Sequence, residues 1–189
     1  MNRTRRKQSK YGPKSAKSLW AYAKRLNEDR AKKISAAIVE FASQNSVDAI
    51  VMEHLDFKGC KKRGSKAQRL SMWNHGIIRE KVEQKAHLLG IRIATICAWK
   101  TSALAFDGSG NVTRDDNNHA LATFTTGKQY NCDLSASYNI GARYFIRELL
   151  KSLPATEESR VKAKVPDAGR RTSCTLSTLR ALVKELSAA

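Results

Sequence analysis

Apolar residues begin to recur at three- and four-residue intervals only near position 18. Leu19, Tyr22, Ala23 and Leu26, then after a polar patch Ile34, Ala37, Ile38 and Phe41, trace one helical face. The spacing predicts one long helix, or two joined near Asn27, ending at about Gln44. The stretch before it has no such period and carries a Gly12-Pro13 break, so it is expected to be a loose basic arm. Val47–Met52 (VDAIVM) is a short apolar run between turn residues and a charged stretch, which predicts a buried strand in a parallel pairing. Leu70, Trp73, Ile77, Ile78, Val82 and Ala86 then predict a helix from about Ala67 to Leu89, closed by Gly90. Ile91–Ile96 (IRIATI) alternates and is β-branched, which predicts a second strand and completes a βαβ unit.

Downstream the pattern breaks up. Gly108, Gly110, Asn111, Asp115, Asp116, Asn117 and Asn118 crowd together, so DGSGNV is expected to turn a hairpin with ALATFTTG as its return strand. A helix is predicted from about Leu134 to Leu153 on Ile140, Tyr144, Ile146, Leu149 and Leu150. Pro154–Ser173 is polar and reads as a linker. Thr175 then reads as the N-cap of a short amphipathic helix carrying Leu176, Leu179, Leu182, Val183 and Leu186.

Charge changes the picture most. The 189 residues hold 35 Lys and Arg against 17 Asp and Glu, a formal net charge of +18. Such an excess excludes an acidic partner-binding module and favours a polyanion, nucleic acid ahead of an anionic membrane. No run approaches the roughly 18 apolar residues of a membrane span, and the basic N-terminus lacks the apolar core of a secretory signal. A soluble protein is expected. Cys60, Cys97, Cys132 and Cys174 are far apart, with no C-x-x-C. That spacing belongs to buried thiols in a reducing, cytoplasmic compartment, not to disulfides or zinc.

Two carboxylates stand out. Glu53 ends an apolar strand, where a carboxylate either turns to solvent or is paired or bound to a cation. Asp133 opens a helix in NCDLSASYNIGARY, where it either caps the helix or contributes to a site. An acid at the C-terminal end of a strand and another at a later helix start can converge at the sheet edge where α/β proteins place their sites. The four histidines have no ligand spacing. No serine sits in a nucleophile-elbow context, and there is no glycine-rich nucleotide loop. Basic residues cluster in two places: Arg3, Arg5, Arg6 and Lys7 in the N-terminal arm, and Lys61, Lys62, Arg63, Lys66 and Arg69 in the acid-free segment 58–69. Both suit contact with phosphate oxygens.

AIVMEHLDF, a basic loop, EKVEQKAHLLGIRI, WKTS and CDLSASYNIGARY follow one another in this chain. In this order they resemble the C-terminal half of the TnpB/OrfB proteins of bacterial insertion sequences, RNA-guided nucleases related to the type V CRISPR effectors. The resemblance covers roughly residues 20–150. It implies an α/β chain with an incomplete RNase H-like (RuvC) fold, in which Glu53 and Asp133 are catalytic carboxylates holding Mg²⁺. The family signature D-x-N-A-A-x-N-I falls on Asp133–Ile140. There are two departures. The family's zinc ribbon follows the Thr-Ser pair, but Ala105 and Gly108 stand where its first cysteines would be and 120–131 has no cysteine. No zinc is therefore expected, and the ribbon is reduced to a degenerate hairpin insert. The family's first site Asp, on an opening strand, has no counterpart here.

The domain layout expected is a basic arm and helix start over 1–33, a partial RuvC-like domain over 34–153 with its insert at 101–131, a linker over 154–174, and a C-terminal amphipathic helix over 175–189. By the resemblance, the chain is a truncated or separately encoded RuvC-like part of a transposon-associated RNA-guided DNA endonuclease. It would be nucleoid-associated, with DNA and guide RNA as partners and an upstream polypeptide completing the sheet. It would be inactive alone, with an incomplete Mg²⁺ site. The alternatives are a catalytically dead nucleic-acid-binding protein acting by occupancy, and a decayed transposon remnant.

Overall fold

A computed structural model describes residues 2–55 and 74–188. Lys61, Lys62, Arg63, Lys66 and Arg69 lie outside the described residues, as does the start of the helix expected from Ala67. The chain divides into two compact units, Met1–Ile50 with Phe57–Ile93, and Val51–Asp56 with Ala94–Ala189.

The first unit opens with α1 (Asn2–Tyr11) and a 3-10 turn at Pro13–Ala16. This corrects the loose arm expected there. The segment has no apolar stripe, but Arg, Lys and Gln are good helix formers in their own right. Gly12, at φ +86°, ends the helix, its N–H donating to Gln8 O at 2.9 Å. Next comes α2 (Lys17–Gln44), one unbroken helix through Asn27. It buries Ala31, Ser35, Val39 and Ala42 along one face, and α3 (His75–Leu88), which buries Val82 and Ala86, packs against it. The small side chains let the two backbones approach closely. Asn74, just before α3, ties the pair by donating from Nδ2 to Asn27 O at 2.9 Å.

Strands β1 (Ala49–His54) and β2 (Arg92–Cys97) form a two-stranded sheet. The Arg92 N–H donates to Asp48 O at 3.0 Å, so the two strands start side by side and run parallel, as a crossover helix between them requires.

In the second unit the expected single hairpin is instead three short antiparallel strands, β3 (Thr113–Arg114), β4 (Leu121–Thr123) and β5 (Gln129–Asn131), in the order β3-β4-β5. The DGSGNV segment is a turn of its own, closed by a bridge between Leu104 and Asn111. The chain continues into α4 (Cys132–Ser152), α5 (Ala155–Lys164), a 3-10 turn at Pro166–Gly169, and α6 (Leu176–Ser187).

The linker expected over 154–174 is thus largely helical. Pro154 precedes α5, Glu157 and Glu158 sit in its first turn, and Lys162 and Lys164 in its last, a charge order that complements the helix dipole. Val161 and Val165 enter a core with Ile146, Leu150, Ala168, Cys174 and Leu182. Thr175 caps α6, its N–H donating to the Thr178 hydroxyl at 3.2 Å.

Candidate functional site

Glu53 is the penultimate residue of β1 and half-buried. The Thr101 hydroxyl donates to its Oε1, and lies 3.1 Å from Ala98 O as well. A hydroxyl has one proton, so it serves one of these acceptors at a time. Thr101 itself is 2% exposed. Its carbonyl accepts from Asn139 Nδ2 at 3.0 Å, and the same amide nitrogen reaches Leu104 O at 2.9 Å. Asn139 Oδ1 in turn accepts the Leu176 N–H at 3.3 Å. A single fully buried amide therefore fixes the loop that presents Thr101 to Glu53, and joins that loop to the start of α6.

One turn along α4, Arg143 works in parallel. It is 5% exposed. Its Nη1 donates to Cys97 O and Trp99 O at 2.8 Å each, Nη2 to Thr172 O at 2.8 Å, and Nε to Cys174 O at 3.2 Å. Burial pulls its guanidinium below the ordinary arginine value, while Cys174, Cys97 and Glu53 oppose that through space. Four N–H groups of the rigid fork are thus used on carbonyls of two chain segments, which an ammonium group could not match.

Arg147, a further turn on, donates from Nη1 to Thr95 O at 2.8 Å. Because Arg92 N–H faces β1, the alternation of a strand turns the carbonyls of Thr95 and Cys97 to the opposite edge of β2. The two arginines therefore cap that edge.

Asp133 is the second residue of α4 and exposed. It does not cap the helix. Asn131 does, its side chain accepting from the N–H groups of Asp133 at 2.9 Å and Leu134 at 3.0 Å. The Asp133 carboxylate has no hydrogen bond or ion pair among the described residues, which leaves both oxygens for a ligand. At 1.5 Å per residue it lies about 9 Å along the helix from Asn139, the residue that anchors the Thr101 loop. No hydrogen bond or ion pair joins Glu53 to Asp133. Among the described residues no three His, Cys, Asp or Glu side chains group so as to hold a metal ion. Two carboxylates by themselves would fall short of the bridging set that a two-metal clamp needs.

The insert is held by aromatic contacts. Phe106 packs edge-on against Phe124, Tyr130 and Tyr138 with centroids 5.5, 5.1 and 5.2 Å away, and the Lys128 ammonium lies over the Phe106 and Tyr130 rings. Ala105, Ala122, Phe124 and Cys132 form the core beneath. The hydrogen bond between the Tyr130 and Tyr138 hydroxyls raises the pKa of the Tyr130 phenol. Gly108 adopts φ +83°, and a Cβ there would stand 2.9 Å from Ser177 Cβ. Cys97, Cys132 and Cys174 are free thiols, and burial pushes the Cys174 thiol up.

Sequence reading singled out Glu53 and Asp133, which no hydrogen bond or ion pair among the described residues brings together, but missed Thr101, Asn139 and Arg143 as the residues that hold the loop beside Glu53. A signal was available for the last two. Asn139 and Arg143 share the helical face of Ser135, Ile146 and Leu150, and a polar residue on an apolar stripe is buried with its partners or not at all.

No protein-family model matches this chain, and no curated protein does. A solved structure does. A chain of the cryo-EM structure of the Cas12f1–sgRNA–target DNA complex is similar over 72% of this chain, with 20% sequence identity and a TM-score of 0.50. The match spans 38% of that chain. The likeness shows a mixed α/β fold shared with part of that chain.

Proposed function

We propose that this chain is a RuvC-like, nucleic-acid-binding part of an RNA-guided DNA endonuclease of the TnpB and Cas12 kind. The observation that carries the reading is the fold likeness to a protein solved with sgRNA and target DNA, joined to a net charge of +18. DNA and guide RNA are the partners. Arg3, Arg5, Arg6 and Lys7 on or beside α1, with Lys61, Lys62, Arg63, Lys66 and Arg69, contact phosphates. Glu53 and Asp133 supply part of a phosphodiesterase site and hold one Mg²⁺ weakly, the Thr101 hydroxyl fixing one Glu53 oxygen and leaving the other for the ion. Magnesium, when bound, would neutralise phosphate charge.

The two-carboxylate donor set supports a second reading, a catalytically dead protein that acts by occupying nucleic acid. Two measurements on the full chain separate the readings. Binding to single- and double-stranded oligonucleotides is expected to weaken steeply with salt. Neutralising Lys61, Lys62, Arg63 and Lys66 should flatten the log–log salt slope by about one unit per lost phosphate contact. An unchanged slope removes that segment from the interface. Mg²⁺ binding lost in both Glu53→Gln and Asp133→Asn supports the site. Mg²⁺ binding indifferent to either change leaves the occupancy reading.

A further inference from the structure

The second unit contains a cavity of about 680 Å³ beside α4, α5 and the end of β2, within the size range of small-ligand sites. The geometry points to this cavity as a binding site for a phosphorylated nucleoside, a flat ring carrying a dianion. The inference goes beyond the strand-binding reading and does not rest on it. None of the described lining residues is among the basic residues assigned to strands.

The wall has two chemistries. Ile96, Ile146 and Leu150 line it and are all under 9% exposed, which gives a rigid apolar surface that a ring can cover. Around it stand Arg143, Arg147, Lys151, Lys162 and Arg171, with Glu158 as the one lining carboxylate. Glu158 is taken by Lys162, and Glu148, outside the cavity, pairs with Arg147 at 2.9 Å and Lys151 at 3.7 Å. Five cations therefore face three carboxylates, since Glu53 also acts on Arg143 through space, an excess of two. Arg143 is bonded to carbonyls alone, and Arg171 makes no ion pair or hydrogen bond among the described residues. The excess is close to the charge of a phosphate monoester. Bare phosphate would satisfy the cations and leave the apolar wall wet. A neutral nucleoside would cover the wall and leave the cations unpaired. A nucleotide does both.

The ligand has two sources, a free mononucleotide or the phosphorylated end of a strand. The test titrates the full chain with thymidine 5′-monophosphate, thymidine and inorganic phosphate, reading the methyl resonances of Ile146 and Leu150. Thymidine monophosphate is expected to bind about tenfold or more tighter than either fragment and to shift both methyls, and Arg171→Ala should weaken it by about tenfold, the loss of one charge-assisted contact. Arg171 is exposed, so this variant keeps the fold, and its strand-binding salt slope should be unchanged. A 5′-phosphorylated oligothymidine that displaces the mononucleotide assigns the cavity to strand ends. Failure to displace it assigns the cavity to free nucleotide. Equal affinity for phosphate and mononucleotide, unmoved methyl resonances, or full affinity in Arg171→Ala would overturn the proposal.

Discussion

Asn139→Ala is expected to be among the most damaging single changes in the second unit, although it removes only one small amide. The side chain is 0% exposed and serves three backbone groups, the carbonyls of Thr101 and Leu104 and the N–H of Leu176. Truncation orphans all three, of which the Thr101 carbonyl is bonded in a fully buried setting. Each orphaned group costs about 1–3 kcal/mol, so even at the lower end the loss is about 3–5 kcal/mol once the small void is added. Against a domain stability of about 5–15 kcal/mol that is a large share. With a urea m-value of about 2 kcal/mol/M the midpoint should fall by about 2 M at constant m. The measurement is urea unfolding followed by far-UV circular dichroism, with hydrogen exchange at Thr101–Leu104 to localise the loss.

Asn139→Asp is the control for the chemistry. It keeps the acceptor for Leu176 but turns the donor that faced two carbonyls into a second acceptor. Desolvation and those carbonyls raise the folded pKa of the introduced carboxyl above its unfolded value near 3.9. The penalty is therefore smallest below that unfolded value and grows as pH rises towards the folded pKa. Relative to the parent protein at each pH, this variant should be closest to parental stability in acid and worst at neutrality, while Asn139→Ala shows no such trend. A midpoint shift below about 0.5 M in Asn139→Ala, or a pH-independent penalty in Asn139→Asp, would refute the assignment of Asn139 as the tie between loop and helices.

Arg143→Lys keeps the charge but cannot reach the four carbonyl contacts, so it should cost about 3 kcal/mol or more and lower the melting temperature by more than about 10 °C. At the start of α4, Asn131→Ala should cost about 1 kcal/mol by loss of the cap, whereas Asp133→Ala should cost less, about 0.3–1 kcal/mol. Thermal melts that reverse this order would make Asp133 the structural residue. Gly108→Ala combines a left-handed backbone with the 2.9 Å approach to Ser177 and should destabilise by about 2 kcal/mol. Adding Ser177→Gly should recover only the steric part, and full recovery would deny the backbone contribution. Purified, tag-free protein should carry no stoichiometric zinc by elemental analysis, since Ala105 and Gly108 offer no ligand, and stoichiometric metal would overturn the degenerate-ribbon reading.

Long periodic or strongly patterned segments were legible from sequence. The helix through Ile34–Phe41, the strands around Ile50 and Ala94, and Thr175 at the head of the last helix all carry their signals locally. Two kinds of element were not. The first is α1, whose helix rests on backbone propensity without an apolar stripe, so a test for periodicity passes over it. The second is α5, where Val161 is the only large apolar residue and the information lies in Pro154 and in acids preceding bases. At the site, Asn131 and Asp133 are both good caps two residues apart, and only the observed helix start frees the aspartate. Thr101 gives no local sign of its role, because its partner Glu53 is 48 positions away.

The arginine cap on β2 gives the small parallel sheet a direction of growth. An edge strand ordinarily offers its free carbonyls to any passing strand. Here a newcomer to β2 would have to displace the guanidinium contacts at Thr95 and Cys97, each worth about 1.5–3 kcal/mol as a charge-assisted bond. It would also have to dislodge a helix whose buried face belongs to the core of the unit. Two copies of the chain therefore cannot zip together through β2, and templated extension stops at that strand. For a strand recruited alongside β1, the strand that carries Glu53, lengthening the sheet and altering the surroundings of that carboxylate would be the same event.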